Sequence, residues 1–335
     1  MNSISIIIPA YNEENYIVEC LESIVLSDRE SLDIEVFVVD GCSSDATQDL
    51  VKEFMKKYNF VKLLVNEKKI APTAMNLGIK ASRGEYIFVI SAHAKYSHDY
   101  FKVLVKYIKE LDADCVGPVL VTQTKVDTPK ANSIKEILSN KFGVGDASFR
   151  TGGDEVKSVD TVAFGCYKRD VFSKYGLYDE RLVRNQDIEL NKRIINGGGS
   201  IYLIPFVKAI YFARDNFKDL AKNNYENGKW NILTAYYTKT LGSLSLRHFV
   251  PLIFVLSLLM PTFLSIFVPK LVYLSIFSFI SYLALVIIIS LKVSTKQNSF
   301  VYLVSSFFVL HISYGLGSLN GIFVVMEKIL KEKNE

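Results

Sequence analysis

The last third of the chain contains three long apolar segments, and these limit the possible folds more than any other feature of the sequence. They span Phe249–Val268, Leu271–Leu291 and Phe300–Met326, and none of them contains an Asp, Glu, Lys or Arg residue. A helix of about 20 apolar residues is long enough to cross the hydrocarbon core of a bilayer. A helix buried in a soluble protein normally keeps a polar stripe, which these segments lack. We therefore predict a membrane domain with three transmembrane helices over residues 249–326.

The lysines next to these segments bear on the orientation of the chain in the membrane. Lys292 and Lys296 lie between the second and third segments and favour the cytoplasmic side for that loop. This predicts a multi-pass protein of the cell membrane whose preceding domain is cytoplasmic. A third full crossing would place Lys328, Lys331 and Lys333 outside, against the same rule. A kinked, a re-entrant and a helix-packing third segment therefore all remain open.

Net charge and cysteine content limit which cellular compartment and which binding partners are expected. The net charge is only +4, too small an excess to indicate a nucleic acid, so we expect membrane lipids and no nucleic acid among the partners. The apolar run near the N-terminus is too short for a signal peptide and has no basic residues before it. Four cysteines without metal-binding spacing are typical of buried thiols in a reducing compartment: Cys20, Cys42, Cys115 and Cys166.

Strands and helices alternate through the first 90 residues of the chain. The predicted strands are Ser3–Ile8, Asp33–Val39, Val61–Val65 and Tyr86–Ile90, and the predicted helices between them are Glu14–Leu26, Ser44–Tyr58 and Thr73–Ala81. This order predicts an α/β fold with a mostly parallel sheet and right-handed crossovers. Such sheets bind ligands at the carboxyl ends of their strands. No glycine-rich dinucleotide loop or P-loop follows any strand, which argues against both of those nucleotide-binding folds.

The remainder of the soluble part is less regular. Gly143–Asp160 is rich in Gly, Asp and Ser and predicts a flexible loop. Asn185 is a candidate cap for a helix in which Asp187 lies in or just before the first turn. The further predicted elements are strands at Val159–Tyr167, Ile201–Ile204 and Ala209–Phe212, and helices at Arg169–Tyr175 and Glu189–Asn196.

Composition sets the predicted domain boundaries. The soluble domain is placed at residues 1–230 and the membrane domain at 249–326, with a charged tail at 327–335. Residues 231–248 form an interfacial linker, in which aromatic side chains would lie at the depth of the lipid headgroups.

Six sequence blocks carry a resemblance to a known family, and they are Ile6–Glu14, Val38–Thr47, Asn76–Ile79, Gly84–Ile87, Phe164–Cys166 and Arg184–Leu190. Together they resemble the family 2 glycosyltransferases of the GT-A fold, particularly the bacterial exopolysaccharide enzymes similar to succinoglycan glycosyltransferases. The likeness covers roughly the first 230 residues. It implies an inverting enzyme that moves a sugar from a nucleotide-sugar donor to a lipid-linked or saccharide acceptor in cell-surface polysaccharide biosynthesis.

The resemblance implies that the first two blocks bind the donor. Pro9, Ala10 and Tyr11 would turn the chain toward the nucleobase, and Glu13 would contact the uracil or the ribose. Asp40 would accept hydrogen bonds from the base. Aspartate also favours turns for local reasons, so turn formation is the alternative role of Asp40.

The family carries an Asp-x-Asp element after the fourth strand that binds a divalent cation on the donor diphosphate. This sequence has Ser91 in place of the first carboxylate, followed by Ala92 and His93. Two alternatives follow. In one, Mn²⁺ or Mg²⁺ is held more weakly by His93 and the phosphates, because a neutral hydroxyl is a poor substitute for a carboxylate ligand. In the other, Lys95 and neighbouring groups replace the charge of the cation. Ser91 is a donor-binding candidate.

The last block matches the segment that carries the family's catalytic base. Its usual Glu is replaced by Gln186, but the following Asp187 is kept. Inverting transfer needs a carboxylate that accepts the proton of the attacking hydroxyl. Asp187 is therefore the predicted base, with Glu189 as the rival carboxylate and helix capping as the alternative role of Asp187.

The resemblance places the remaining candidates near the acceptor or the donor phosphates. Phe164 and Gly165 would shape the acceptor side together with Trp230, and Arg214 would contact the donor. The competing hypothesis is a catalytically inactive, membrane-anchored scaffold that binds a nucleotide, which the Ser and Gln replacements favour. A transporter is disfavoured because the apolar segments carry no paired charges.

Overall fold

The computed structural model describes residues 1–240 and 244–334, which form two compact units. The first unit contains Met1–Val121 and Ala147–Phe212, and the second contains Thr122–Asp146 and Ala213–Glu335. The two segments of the second unit are separated in the sequence by residues 147–212, which carry two of the six sequence blocks. One unbroken helix, Phe217–Thr238, runs through residue 230, where the sequence places the end of the soluble domain.

The first unit is built on a nine-stranded mixed sheet with the strand order β3-β2-β1-β4-β8-β6-β9-β5, and β7 pairs with β9. Strands β1 to β4 are parallel to one another, whereas β8 runs antiparallel to β4. The predicted mostly parallel α/β sheet is confirmed. The strands are β1 (Asn2–Ala10), β2 (Leu32–Asp40), β3 (Val61–Val65), β4 (Tyr86–Val89), β5 (Ala94–Tyr96), β6 (Cys115–Gln123), β7 (Lys157–Ser158), β8 (Cys166–Lys168) and β9 (Ile201–Phe212).

The central strands are apolar on both faces because both faces are covered. In β1, the side chains of Ile4, Ile6 and Ile8 belong to one hydrophobic cluster. Ile7 belongs to a second cluster on the opposite face. All four are fully buried, as expected for adjacent strand residues that alternate between two covered faces.

The helices of the first unit cover the sheet through apolar faces with helical spacing. In α1, the buried residues Ile17, Cys20, Leu21 and Ile24 recur every three or four positions. These helices are α1 (Ile17–Val25), α2 (Thr47–Lys57), α3 (Ala71–Ala81), α4 (Tyr100–Glu110), α7 (Ser148–Thr151), α8 (Asp170–Lys174) and α9 (Gln186–Asn196).

Several elements differ from the sequence-based expectation. Ile201–Ile204 and Ala209–Phe212 are the two ends of the single strand β9. The strand expected at Val159–Tyr167 is reduced to β8. The segment Gly143–Asp160, expected to be a loop, contains the short helix α7 and the short strand β7.

The second unit is helical. Its helices are α5 (Pro129–Ile137), α6 (Lys141–Val144), α10 (Phe217–Thr238), α11 (Val250–Leu264), α12 (Val272–Val293) and α13 (Phe300–Asn334). Within residues 1–240 and 244–334, three helical stretches are long and apolar enough to cross a membrane, as the sequence predicts: Leu246–Leu264, Pro269–Val293 and Phe300–Lys333. Part of the expected interfacial linker, residues 241–243, lies outside the described residues, as does residue 335 of the charged tail.

Glycines bring α10 and α13 into close contact. A Cβ atom at Gly317 would overlap the carbonyl oxygen of Tyr225, and one at Gly228 would overlap the carbonyl oxygen of Tyr314. Of the three open alternatives for the last apolar segment, helix packing is therefore observed. Residues of α5, α10, α12 and α13 also share one hydrophobic cluster, which includes Ile134 and Phe307.

Candidate functional site

Hydrogen bonds join the loops that follow β1 and β2. The backbone N–H of Asn12 donates to Ser43 Oγ at 2.8 Å, and the N–H of Ser44 donates to Asn12 Oδ1 at 2.8 Å. The N–H of Glu13 donates to Thr47 Oγ1, also at 2.8 Å. Asn12 takes a positive φ of 55°, a conformation that Asn tolerates better than most residues. The first two sequence blocks thus form one connected edge of the sheet.

Asp40, at the end of β2, is completely buried and accepts hydrogen bonds from the loop that follows it and from the first turn of α2. Its Oδ2 accepts the backbone N–H of Ser43 at 2.9 Å and the side-chain N–H of Gln48 at 2.7 Å. Its Oδ1 accepts the hydroxyl of Ser43. These bonds correspond to the turn-forming alternative, while base recognition by Asp40 stays a prediction.

The chain turns where β1 ends, as expected for Pro9, Ala10 and Tyr11. Pro9 and Ala10 are the last residues of β1, and the Ala10 carbonyl accepts the N–H of Gly41 at 2.8 Å. The side chain of Tyr11 is 54% exposed, which leaves a large aromatic surface at this edge. An exposed ring beside an open backbone turn is suited to stacking against a planar ligand.

Glu13 and His93 form a side-chain pair across the carboxyl edge of the sheet. Glu13 Oε1 lies 2.9 Å from His93 Nδ1, and both side chains are mostly buried. Ser91 is fixed through its backbone, because its N–H donates to the Tyr96 hydroxyl at 2.9 Å. The loops after β1 and β4 therefore meet, and the predicted donor-side residues Glu13 and Ser91 lie at the same edge as His93, the candidate metal ligand.

The side chains at this edge do not form a metal centre by themselves. No group of three or more His, Cys, Asp or Glu side chains suited to a metal ion occurs in the described part of the chain. Nδ1 of His93 is already engaged with Glu13, and Ser91 supplies only a neutral hydroxyl. The protein residues therefore fit a resident divalent cation poorly, and the oxygens of a bound diphosphate would have to supply most of the ligands.

The ammonium group of Lys95, the candidate substitute for a cation, is paired with a carboxylate of the protein. Lys95 belongs to β5, and its ammonium group forms an ion pair with Glu19 of α1. Its charge is therefore largely compensated by a protein carboxylate before any phosphate binds.

Asp187 lies at the second position of α9, where the sequence places it in or just before the first turn. Its Oδ1 accepts the backbone N–H of Ile188 at 2.9 Å. Burial raises the pKa of the Asp187 carboxyl above the ordinary aspartate value, while the Ile188 N–H and the positive charge of Arg150 act in the opposite direction. Asn185 occupies the cap position in a left-handed conformation, without a side-chain cap hydrogen bond.

The rival carboxylate, Glu189, is bound within the protein. Both of its oxygens accept hydrogen bonds from Arg193, at 2.6 Å and 2.8 Å. Arg193 also donates to the carbonyl oxygens of Tyr175 and Leu177. This bidentate, buried arrangement fits a structural role for Glu189.

The residue before the predicted base has an unusual environment. The side-chain carbonyl oxygen of Gln186 is buried and accepts no hydrogen bond from the described residues. A buried acceptor without a donor is unfavourable by about 1–3 kcal/mol, so a ligand hydroxyl that donates to it would be stabilised.

Arg150 is the site residue that the sequence analysis missed. It belongs to α7, within the segment expected to be a flexible loop. Its guanidinium lies 5.3 Å from the centre of the Tyr211 ring, and that ring lies 5.5 Å from the ring of His93. Within the described ranges the N–H groups of its guanidinium make no hydrogen bond or ion pair, so they are available to a ligand. No motif signals such a residue, because α7 is only four residues long and its place in the fold depends on tertiary contacts.

The acceptor-side candidates divide between the two units. Phe164 adopts a positive φ of 55°, and its ring lies 6.5 Å from that of Tyr211. A Cβ at Gly165 would lie 3.0 Å from Cys115 Sγ, so only glycine fits there without displacement. Arg214 and Trp230 belong to the second unit, and their roles at the site stay predictions.

Comparison with known proteins gives a consistent result. The family model described as glycosyl transferase family 2 matches residues 5–176. A Methanococcus voltae protein named dolichyl N-acetyl-alpha-D-glucosaminyl phosphate 3-beta-D-2,3-diacetamido-2,3-dideoxy-beta-D-glucuronosyltransferase is 32% identical over 234 residues, which are 68% of this chain and 72% of that protein. The succinoglycan biosynthesis protein ExoA of Rhizobium meliloti is 27% identical over 211 residues, which are 62% of this chain and 63% of its own length.

Solved structures support the fold. The crystal structure of residues 1–349 of Staphylococcus aureus TarS superposes with a TM-score of 0.51 at 16% identity, over 94% of this chain and 90% of that one. The complex of the same fragment with UDP-GlcNAc gives a TM-score of 0.50 at 16% identity, over 74% and 72% of the two chains. At this identity the likeness concerns the fold alone.

Proposed function

The chain belongs to glycosyl transferase family 2, and from this premise we propose that it is an inverting glycosyltransferase of cell-surface polysaccharide biosynthesis. The donor is a nucleoside diphosphate sugar and the acceptor is a lipid-linked or free saccharide. The names of two relatives support this choice, since one acts on a dolichyl phosphate sugar and the other takes part in succinoglycan biosynthesis. The apolar helices keep the enzyme at the membrane, with its catalytic domain on the cytoplasmic face.

The observation that carries the proposal is the connected arrangement of charges at the sheet edge. The positive charge of Arg150 favours the ionised form of the Asp187 carboxyl, and the guanidinium of Arg150 lies over the ring of Tyr211. Tyr211 in turn packs beside His93, which is paired with Glu13. A carboxylate that can accept a proton and a cation that can bind phosphate therefore lie in one neighbourhood, as a group transfer from a diphosphate requires.

Asp187 is proposed to accept the proton of the acceptor hydroxyl. As that oxygen bonds to the anomeric carbon, the bond from this carbon to the β-phosphate oxygen breaks. The nucleoside diphosphate then leaves with the bonding electron pair, and the configuration at the anomeric carbon inverts. Because burial raises its pKa, ionised Asp187 is a better proton acceptor than a fully solvated aspartate.

Arg150 is proposed to offer N–H groups to the phosphate oxygens that gain charge as the donor bond breaks. Guanidinium groups bind phosphate through paired hydrogen bonds, and stacking on Tyr211 orients the planar group. The unpartnered oxygen of Gln186 is proposed to accept a second hydroxyl of the acceptor. No step of this mechanism passes through a metal ion, because the protein ligands present fit one poorly.

A turnover experiment with the full chain in lipid nanodiscs tests the proposal. UDP- and GDP-sugars are supplied one at a time together with a lipid extract that contains polyprenyl-linked saccharides. We expect release of a nucleoside diphosphate and an extended lipid-linked product whose new linkage, determined by NMR, has the inverted configuration. A retained configuration would contradict the mechanism. Tight nucleotide binding without turnover for any donor would instead favour the inactive scaffold, the alternative supported by Ser91 and Gln186.

A further inference from the structure

Helices α10 and α13 lie side by side and run in the same direction. The ring of Phe217 lies 6.1 Å from that of Tyr302 near their N-termini. Further along, Gly317 contacts Tyr225, and near the C-termini the hydroxyl of Tyr236 bonds to Glu332. The whole apolar part of α13 is therefore flanked by α10, and the two helices must occupy the same depth relative to a membrane.

Helix α10 is too polar to lie inside a bilayer. Its 22 residues span about 33 Å, close to the thickness of the hydrocarbon core. They include five charged residues, which are Lys218, Asp219, Lys222, Glu226 and Lys229. A charged side chain at the centre of a membrane helix is unfavourable, so the charges near the middle of α10 oppose insertion of the α10–α13 pair.

Helix α13 also has the surface of a helix that lies along a membrane. Its exposed apolar side chains Leu316, Phe323, Met326 and Leu330 are 41–60% exposed and share one face at helical spacing. The face with Gly317 is turned toward α10 instead. A helix that is apolar on one side and packed against a polar helix on the other is suited to a lipid surface.

The hairpin of α11 and α12 behaves differently. Its contacts with α13 involve residues distant from its turn, such as Val255 beside Gly315 and Tyr282 beside His311. Side chains near the turn are highly exposed and apolar, for example Phe267 at 74% and Phe277 at 72%. Buried residues make up 17% of the apolar stretch in Leu246–Leu264 and 22% of that in Pro269–Val293, but 39% of that in Phe300–Lys333.

We infer that only α11 and α12 cross the membrane, and that α13 lies with α10 against the cytoplasmic lipid surface. The inference rests on the cytoplasmic catalytic domain of the proposed function. Three full crossings would place the lysines after residue 326 outside, against the preference of lysines for the cytoplasmic side. With two crossings, these lysines and the loop of residues 294–299 are both cytoplasmic, so the preference is met. Lys270, at the hairpin turn, is the lysine left on the outer side.

Cysteine labelling of the full chain in intact cells tests this topology. Single cysteines are introduced by Val268→Cys at the hairpin turn, Ser294→Cys in the following loop and Lys333→Cys in the tail. Each variant is treated with a membrane-impermeant maleimide before or after lysis, and labelled peptides are quantified by mass spectrometry. The natural Cys42, which is partly exposed in the catalytic domain, serves as an internal control in every variant.

We expect the cysteine at position 268 to react in intact cells, and those at positions 294 and 333 to react only after lysis. Reaction of the position 333 cysteine in intact cells would establish a third crossing and overturn the inference. An unreactive cysteine at position 268 would overturn it as well, because the hairpin would not cross. Reaction of Cys42 or of the position 294 cysteine in intact cells would instead refute the cytoplasmic orientation in the proposed function.

Discussion

Glu13 Oε1 and His93 Nδ1 lie 2.9 Å apart and join the loops that follow two neighbouring parallel strands, β1 and β4. In a metal-dependent enzyme the position of His93 would be expected to face a cation, but here Nδ1 of His93 is paired with Glu13. We predict that activity in EDTA stays within about tenfold of that in Mn²⁺, since the protein contributes few metal ligands. Turnover measured in EDTA, Mg²⁺ and Mn²⁺ checks this. Complete loss in EDTA with full recovery in Mn²⁺ would show that His93 and the diphosphate suffice to hold the ion.

Arg150 should affect phosphate recognition more than nucleoside recognition. We expect Arg150→Gln to lower kcat/KM by about 10- to 100-fold and to weaken UDP binding, with no change for uridine, because charge-assisted hydrogen bonds contribute about 1.5–3 kcal/mol. Calorimetric titration with UDP and uridine, together with acceptor KM values, separates the donor phosphate from the phosphate of a lipid acceptor. Arg29→Gln is the matched control, since Arg29 also lies over an aromatic ring, that of Phe60. Unchanged UDP affinity and acceptor KM in the Arg150 variant would refute the assigned role.

The pH dependence of turnover should reflect the environment of Asp187. Because its pKa is raised by burial, the acid limb of kcat should lie above the ordinary range for aspartate. Loss of the Arg150 charge should move this limb to still higher pH, since that charge favours the ionised carboxylate. A pH–rate profile of the wild type and of Arg150→Gln measures both effects. A shift to lower pH in the variant would contradict the electrostatic coupling.

The same carboxyl should make folding stability depend on pH. A raised pKa in the folded state means that ionisation of Asp187 opposes folding. The Asp187 carboxyl therefore adds to the free energy of unfolding below its pKa in the unfolded chain. This contribution is lost as the pH rises through its pKa in the folded protein. Relative to the wild type, Asp187→Asn should therefore gain stability as the pH approaches neutrality.

Glu189 should prove structural. Glu189→Gln leaves the buried side of Arg193 without its carboxylate partner, and we expect a loss of about 2–4 kcal/mol in the free energy of unfolding. Thermal unfolding and turnover of the same preparation distinguish stability from chemistry. Unchanged stability combined with abolished turnover would make Glu189 the base instead of Asp187.

The sequence predicts the central part of the fold well because it is determined locally. Continuous apolar strands with helical segments between them identify β1 to β4 within one or two residues, and the uncharged runs identify the three long apolar helical stretches among the described residues. The later strands were predicted less well. Val159–Tyr167 is apolar enough for a strand, but only β8 finds partners in the sheet, and pairing is a tertiary property.

The site was predictable where a motif marks it and not elsewhere. Glu13, Ser91 and His93 follow strands that end at the same edge, so their proximity could be anticipated. Arg150 and Tyr211 have no such signal, because each reaches the site through the way distant segments pack. The ion pair of Lys95 with Glu19 also has no signal in the sequence, because it joins residues 76 positions apart.

The most direct measurement compares turnover by Asp187→Asn with that of the wild type, using one donor and a saturating acceptor. Asp49→Asn is the matched control, because Asp49 lies in the first turn of α2 and is exposed. We expect the Asp187 variant to lose about 100- to 10,000-fold in kcat while its folding and UDP affinity are preserved, as for removal of a general base. The control should keep wild-type activity. Wild-type kcat in a correctly folded Asp187→Asn enzyme would contradict the assignment of this aspartate as the base.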